Sequence, residues 1–371
     1  NTLSPVAEAT LHGGRHESYA ALVWRRLKRS VTGMMGLVLV VALLVMSIFA
    51  PFFAPVDPKV TDVGFSSPDS IYFTDKDGNF TLRPRIYPIV EGEELDPITF
   101  QPLMAPDYDN PVELGLFVKG FEYPVLGGLF TMDWHFVGSL DGRPVHFLGT
   151  DKFGRDVLSR IIFGSRVSLM IALTVVFFIT IVGTTVGMVS GYFGGTFDVW
   201  VQRFVELVLA FPQLPLYLAL TSLIPVTAPT NVFLAFVIVV LSALGWAQLS
   251  REVRGKTLAL ARVDYVKAAM AIGARDRRII FQHIFPNVMS HVIVAVTLAI
   301  PNVVLLESFL GFLGFAVKPP LISWGLMLQD TSNYSVIGSY PWILAPVGFV
   351  LVTVFAFNAL GDGLRDAIDP Y

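Results

Sequence analysis

Few residues of this chain have a type and spacing that suggest catalysis or ligand binding. The most suggestive group is the tripeptide Gly255-Lys256-Thr257. It matches the end of a phosphate-binding loop, in which backbone N–H groups and a lysine hold nucleotide phosphates. The complete pattern needs a glycine five residues before Gly255, but Ser250 stands there, and no predicted strand precedes it. We therefore do not predict ATP binding by this chain.

The chain lacks the residues that a metal site or thiol chemistry would need. The chain has no cysteine, which excludes disulfides, thiolate ligands and cysteine nucleophiles. His135 and His146 are far apart and have no histidine or carboxylate partner at the spacing of metal ligands. We interpret both as ordinary loop residues and predict no metal site.

Three ionisable residues lie in or near apolar stretches, where such residues are candidates for function. Glu206 follows Arg203 by three residues, a spacing that favours a surface ion pair. His291 is one turn into an apolar run and can reach the membrane interface. For Glu307 two roles stay open: it lines or gates a path, or it forms a bond between helices.

The composition places these residues in a lipid bilayer. Hydrophobic residues make up 54% of the 371 residues, charged residues only 15%, and the mean hydropathy is +0.64. Soluble domains carry roughly 25% charged residues. We expect an all-α, polytopic membrane protein.

Long apolar runs predict about six transmembrane helices. They cover residues 30–56, 167–197, 288–315 and 331–361, with two more helices inside 207–250. A basic cluster at 25–29 and a basic loop at 251–286 should both stay in the cytoplasm. Both termini are then cytoplasmic, and Gly183, Gly187 and Gly191 offer a face for close helix packing.

The segment between the first two predicted helices, residues 57–165, is acidic and is expected on the outer side. Ile71-Tyr72-Phe73-Thr74 and Asn79-Phe80-Thr81-Leu82 flank Asp75-Lys76-Asp77-Gly78, a pattern typical of two short strands around a turn. Prolines from Pro84 to Pro111 favour loop for much of the remainder. We expect a small mixed α/β insertion here, followed by a membrane core over 166–371.

The basic loop predicts two short helices that meet at a bend. Asp264 could cap the first helix, the alanine-rich middle favours it, and Gly273 suits the left-handed residue that ends it. Asp276 could cap the second helix, which Pro286 would end. Small side chains and a basic rim would let an acidic or nucleotide-binding partner approach closely.

At this point the chain resembles the permeases of dipeptide and oligopeptide ATP-binding-cassette (ABC) importers. Their cytoplasmic loop carries Glu-Ala-Ala, then Gly, then Ile-x-Leu-Pro, and this chain matches it at Ala268, Ala269, Gly273 and Pro286. Lys267 stands at the usual Glu position and Phe285 at the usual Leu. Further family-like segments are Leu148 to Asp156, Pro319-Pro320 with Ser323-Trp324-Gly325, and Phe357 to Asp366 with Asp369-Pro370.

The resemblance implies the type I importer permease fold and a division of labour among subunits. A periplasmic solute-binding protein delivers the solute, this chain and a second permease form the path, and two ATPases bind ATP and Mg²⁺. This chain would then bind no cofactor and would not be an enzyme, and its partners would include membrane lipid but no nucleic acid. The resemblance implies that a coupling segment contacts one ATPase through Asp264, Lys267, Ala268, Ala269, Gly273, Arg275 and Pro286.

The resemblance favours peptides as the solute and the bacterial inner membrane as the location. Oligosaccharides, opines and nickel complexes remain alternatives, because selectivity resides largely in the binding protein. A proton-coupled secondary transporter would usually show two related halves and broken helices at the midplane, and neither pattern is found. A membrane-anchored sensor would leave the later apolar runs unexplained. The insertion is longer than is usual in the family, so we expect it to shape the contact with the binding protein.

Overall fold

A computed structural model describes residues 18–62, 64–74, 79–95, 102–225, 227–315 and 317–368. The predicted turn at 75–78 and the Asp369-Pro370 segment lie outside these residues. Within them the protein is a bundle of long apolar helices that carries a small antiparallel sheet near its N-terminal part. The expected fold class, a helical membrane protein with a small sheet-containing insertion, is confirmed.

Among the described residues, five helices are long and apolar enough to cross a membrane. We name them in chain order together with the shorter helices: α1 Tyr19–Leu27, α2 Val31–Ile48, α3 Ala50–Phe53, α4 Val157–Phe193, α5 Gly195–Ala210, α6 Gln213–Thr221, α7 Thr230–Leu260, α8 Asp264–Ala271, α9 Asp276–Phe312, α10 Trp324–Leu328, α11 Tyr334–Ser339 and α12 Ala345–Ile368. The membrane candidates are α2, α4, α7, α9 and the segment Pro341–Ile368 that contains α12.

A sixth crossing would be the pair α5 and α6, which meet at an angle of 81°. The sequence predicted a single span beginning near residue 207, but the chain bends there instead. The bend falls at Phe211 and Pro212, between the last residue of α5 and the first of α6. Proline disfavours the helical conformation for the residue before it, which explains the break.

Two helices extend beyond the uncharged runs that predicted them. α4 begins at Val157, ten residues before the first uncharged position of the predicted span, and Asp156 caps it by accepting a hydrogen bond from the Ser159 N–H at 2.7 Å. α7 continues to Leu260, past the charged residues that follow Ser250. Charge marks where a helix leaves the apolar membrane, whereas caps decide where the helix itself begins and ends.

Close packing of α4 against α7 forms the centre of the bundle. A Cβ atom on Gly187 would lie 2.5 Å from the Ser250 carbonyl oxygen, and one on Gly183 would lie 2.9 Å from that of Trp246. Gly191 meets the Arg254 carbonyl in the same way, at 2.9 Å. The predicted glycine face is therefore confirmed, and it lets the two backbones approach more closely than any larger residue permits.

The segment between α3 and α4 contains more strand than the sequence predicted. Its main sheet has the antiparallel order β1-β2-β5-β6, and β3 pairs separately with β4. The strands are β1 Ile71–Thr74, β2 Phe80–Ile86, β3 Ile89–Leu95, β4 Pro102–Pro106, β5 Val112–Val125 and β6 Phe130–Ser139. The proline-based expectation of loop was wrong for β3 and β4, because a two-stranded pair consists only of edge strands, where a missing N–H is tolerated.

The sheet is attached to the start of α4 by a polar cluster. The His146 imidazole lies 3.1 Å from Asp156, the residue that caps α4, and the His146 N–H donates to Asp69 at 2.6 Å. Burial lowers the pKa of His146, but the bond to Asp156 and the charges of Asp156 and Asp69 outweigh it, so the pKa is raised. His146 lies in a loop, as the sequence suggested, but it also joins the insertion to the bundle.

Candidate functional site

The basic loop folds into the predicted first helix, and Gly273 ends it. Gly273 has a φ of +80°. Its N–H donates to the Met270 carbonyl, and the Ala274 N–H donates to the Ala269 carbonyl, both at 3.0 Å. This pair of bonds is the Schellman motif, whose left-handed residue is usually glycine. The predicted role of Gly273 in the backbone is confirmed.

Helix α8 buries one face and presents the other. Val266 and Ala269 pack into the main hydrophobic core, whereas Lys267 and Ala268 are exposed. Ile272, directly after the helix, is 87% exposed. Tyr265 and Met270 are each 43% exposed, and exposed apolar side chains grouped on one short segment are typical of a contact surface for another protein.

Two capping predictions in this loop were wrong. Val263 is the residue that precedes α8, and Asp264 is its first helical residue without a side-chain capping bond. Asp264 instead lies 3.6 Å from Lys267 on the exposed face. Arg275 likewise precedes α9, and Asp276 accepts a hydrogen bond from the Tyr192 hydroxyl at 2.7 Å. Both carboxylates still lie at helix N-termini, where negative charge is favourable.

Pro286 does not end the second helix. The chain runs through it into the membrane as part of α9, because a π-helical stretch at Ile279–Ile284 comes directly before it. The Phe285 N–H bonds to the Ile280 carbonyl, five residues back. Such a wider turn relaxes the i to i−4 ladder that a proline would otherwise disrupt. The prediction of a helix end at Pro286 was therefore wrong.

Glu307 lies inside the bundle, fully buried where α4, α9 and α10 meet. It accepts a hydrogen bond from the Ser168 hydroxyl at 3.0 Å, and Ser168 in turn accepts from the Trp324 N–H at 3.1 Å. The Trp324 indole N–H donates to the Ile161 carbonyl at 2.9 Å. Of the two roles left open by the sequence, this geometry favours a bond between helices. A path-lining or gating role for Glu307 stays a prediction.

An open groove of about 550 Å³ runs between α7 and α9, with α4 and α6 contributing to its walls. Its lining is mostly aliphatic, but it includes the polar side chains of Gln213, Tyr217, Gln248 and Asn302. Gln248 and Asn302 are exposed although they belong to membrane-spanning candidates. Polar side chains in such helices usually face a water-filled cavity or the bundle interior.

A second cavity, of about 470 Å³, continues along the same two helices. Gln248 of the first cavity donates to Glu252 of the second at 2.8 Å, one helical turn further on. Glu252 lies 3.4 Å from His291, across the seam between α7 and α9. Lys256 and Arg365 add positive charge to the lining. The linings of the two cavities follow one another along α7 and α9, and we refer to the two together as the α7–α9 groove.

The other sequence candidates have simpler surroundings. Arg203 and Glu206 form the predicted ion pair at 2.8 Å, and both side chains are exposed. Gly255-Lys256-Thr257 lies inside helix α7, which is not the loop that phosphate binding needs. His135 lies buried in strand β6, so its interpretation as a loop residue was wrong.

Sequence reasoning missed a charge pair that ties α5 to α7. Arg254 makes two hydrogen bonds to the Asp198 carboxylate, at 2.6 and 2.5 Å, and Ser190 of α4 also donates to that carboxylate. Such two-point contacts are the strongest that arginine forms with carboxylates. The only available signal was one acid and one base next to apolar runs, which does not identify partners so distant in sequence.

Comparison with known proteins agrees with this architecture. Residues 183–371 match the family model described as "Binding-protein-dependent transport system inner membrane component", and residues 18–69 match the "N-terminal TM domain of oligopeptide transport permease C". Neither model reaches residues 70–182, which contain the sheet.

Curated relatives give the same picture. The oligopeptide transport system permease protein OppC of Haemophilus influenzae is 40% identical over 242 residues, which cover 64% of this chain and 75% of the relative. The dipeptide transport system permease protein DppC of Alkalihalophilus pseudofirmus is 38% identical over 226 residues, covering 61% and 72%. A solved structure of the MetNI methionine ABC transporter in an inward-facing conformation aligns with a TM-score of 0.45 at 18% identity, covering 57% of this chain and 96% of that chain.

The helical membrane bundle and the matches to permeases place this chain in the class of transport permeases. The chain belongs to the family of binding-protein-dependent transport system inner membrane components. It is a multi-pass inner membrane protein and a transport component of an ABC importer.

Proposed function

We propose that this chain forms half of the path by which an ABC importer moves peptides into the cytoplasm. The similarity to oligopeptide and dipeptide permeases supports peptides as the solute. The complete importer would contain a second permease, two ATPase subunits that bind ATP and Mg²⁺, and a periplasmic solute-binding protein. Hydrolysis takes place on the ATPases, so this chain itself is not an enzyme.

The observation that carries the proposal is the shape of the segment around α8. Val266 and Ala269 fix the helix to the bundle, while Ala268 and Ile272 project from it. Arg275, Arg277 and Arg278 follow this tip closely in the chain and are exposed. A rigid apolar tip with a positive rim fits a cleft on an acidic partner and transmits its movement to α7 and α9, the helices on either side of α8. We therefore propose the coupling role for α8 and the residues up to Arg275.

We propose that the solute path follows the α7–α9 groove. It offers amide groups at membrane depth and charged groups at the end nearer α8. Movement of α8 would act directly on both walls, since α7 precedes α8 in the chain and α9 follows it. We also propose that the outer insertion shapes the contact with the binding protein.

The test uses Ile272, because its exposed side chain can be changed without disturbing the core. Ile272→Asp places a charge on the tip, and Ile272→Leu is the matched control that keeps the tip apolar. We expect ATPase subunits to co-purify with wild type and Ile272→Leu and to be lost, together with ATP-dependent peptide uptake, in Ile272→Asp. Retention of the ATPases and of uptake in Ile272→Asp would refute the coupling role.

The substrate has a separate readout in the same preparation. Wild-type complex in proteoliposomes should take up a labelled peptide only with ATP and binding protein, and collapse of the proton gradient should leave uptake unchanged. ATP-driven uptake of a sugar or a nickel complex in place of the peptide would overturn the peptide assignment alone. Uptake that follows the proton gradient would overturn the importer mechanism.

A further inference from the structure

Strand β6 carries a row of large apolar side chains that the transport function does not explain. Phe130, Met132, Trp134 and Phe136 follow one another at every second residue, so they share one face of the strand. Their exposed fractions are 48%, 37%, 44% and 40%. We call this row the β6 stripe. An uninterrupted apolar row of this size on an outer surface marks an interaction site.

One end of the β6 stripe lies against the end of the first membrane helix. The ring centre of Phe136 is 6.1 Å from that of Phe52 and 5.7 Å from that of Phe53. Phe117 of β5 joins the same cluster, 6.2 Å from Phe52 and 5.9 Å from Phe136. Phe52 and Phe53 belong to α3, which follows the spanning helix α2 after one residue. Phe136 therefore lies at the depth where the chain leaves the membrane.

The opposite face of β6 has a different environment. His135 is buried, and a shallow pocket that it helps to line also contains Pro55, Val56 and Val60 of the chain that follows α3. Asp133 lies 3.6 Å from Lys119. Strand β6 thus has one face that is covered at His135 and charged at Asp133, and one face that carries the apolar stripe, whose Phe136 contacts α3. Lys119 of β5 pairs with Trp134, so one exposed lysine borders the stripe.

We propose that the β6 stripe rests on the outer leaflet of the membrane, with its side chains in the interfacial layer of lipid. The stripe continues the aromatic cluster at the end of a membrane span, and aromatic side chains favour the interfacial layer. A solute-binding protein would approach from the aqueous side and so meet the other face of the hairpin. Contact with lipid would hold the insertion in a fixed position beside the bundle.

The test measures the depth of two neighbouring positions on opposite faces. The chain has no cysteine of its own, so Met132→Cys and the matched control Thr131→Cys each give one site in this subunit for a nitroxide spin label. The full chain, with the subunits that accompany it, is placed in lipid nanodiscs, and unsubstituted protein supplies the labelling background. Oxygen, which concentrates in lipid, and a water-soluble nickel chelate then report the environment of each label.

We expect the Met132→Cys label to be several-fold more accessible to oxygen than to the nickel chelate and the Thr131→Cys label to show the reverse. Equal access of the nickel chelate to both labels would overturn the proposal, because the stripe would then lie in water. Shielding of the Met132→Cys label only after the binding protein is added would also overturn it and would identify a protein-docking surface. Neither result depends on which solute is transported or on the coupling role of α8.

Discussion

At the scale of single residues, Glu307 illustrates how an acid in a membrane helix can be structural. Its carboxylate is completely buried and accepts a hydrogen bond from Ser168, which also receives the Trp324 N–H. Neither Glu307 nor Ser168 lines the α7–α9 groove in the part of the chain that the structure describes. The three residues join α4, α9 and α10 through polar contacts that water cannot replace at that depth.

We expect Glu307→Ala to destabilise the protein by about 1–3 kcal/mol, because the variant leaves the Ser168 hydroxyl without its acceptor. Glu307→Gln, the matched control, keeps an oxygen that can accept this bond and should cost less. Thermal unfolding of both variants in detergent measures the difference. If Glu307→Gln instead abolished peptide uptake at unchanged thermal stability, Glu307 would have the path or gate role.

At the scale of elements, the pairing of α4 with α7 depends on glycine. Gly183, Gly187 and Gly191 of α4 lie against backbone carbonyls of α7, and the contact of Gly187 with Ser250 is the closest of the three. The two helices can pack at this distance only where no side chain separates them. Since α7 precedes α8 in the chain, the same contact also helps to position α8, for which we propose the coupling role.

Gly187→Leu should therefore separate α4 from α7 and destabilise the bundle by at least about 1–3 kcal/mol, the usual cost of overpacking. The matched control is Gly255→Ala on α7, where an added Cβ would have no neighbour within 4 Å. This control should be neutral or slightly stabilising, because alanine favours a helix more than glycine does. Thermal unfolding of the two variants measures the difference in stability, and equal stability would contradict the close packing of α4 against α7.

At the scale of the whole molecule, the charge distribution predicts the orientation in the membrane. With the bent pair α5–α6 counted as one crossing, the described residues contain six candidate spans, and this count puts the basic segments before α2 and around α8 on the same side. Positive charge is retained in the cytoplasm. The insertion that carries the sheet then faces outward.

Single cysteines can test this orientation without a background from this chain. Lys256→Cys, near the end of α7, should react with a membrane-impermeant thiol reagent only after the cytoplasmic side is opened. The matched position on the insertion is Leu82, which is 88% exposed, and Leu82→Cys should react in intact cells whose outer membrane has been permeabilised. The reverse pattern would invert the topology, and labelling of both sites from one side would show that α5–α6 does not cross.

The sequence by itself determined the membrane class, the approximate spans, the glycine face of α4 and the turn at Gly273. Each of these depends on neighbours along the chain: uncharged runs, a spacing of four residues, or a backbone conformation that glycine favours. The α8 helix could be predicted for the same reason. Its motif residues lie close together in sequence, so a local pattern was enough.

Only the tertiary structure decided the contacts that join distant segments. The Asp198–Arg254 pair, the bond between Ser168 and Glu307 and the α7–α9 groove each need partners that a local pattern cannot identify. Local patterns were also misleading at Pro286, where a π-helical stretch keeps the helix continuous. The general reason is that hydrogen bonds and cavities between helices depend on how the helices pack, and packing is settled by the whole bundle at once.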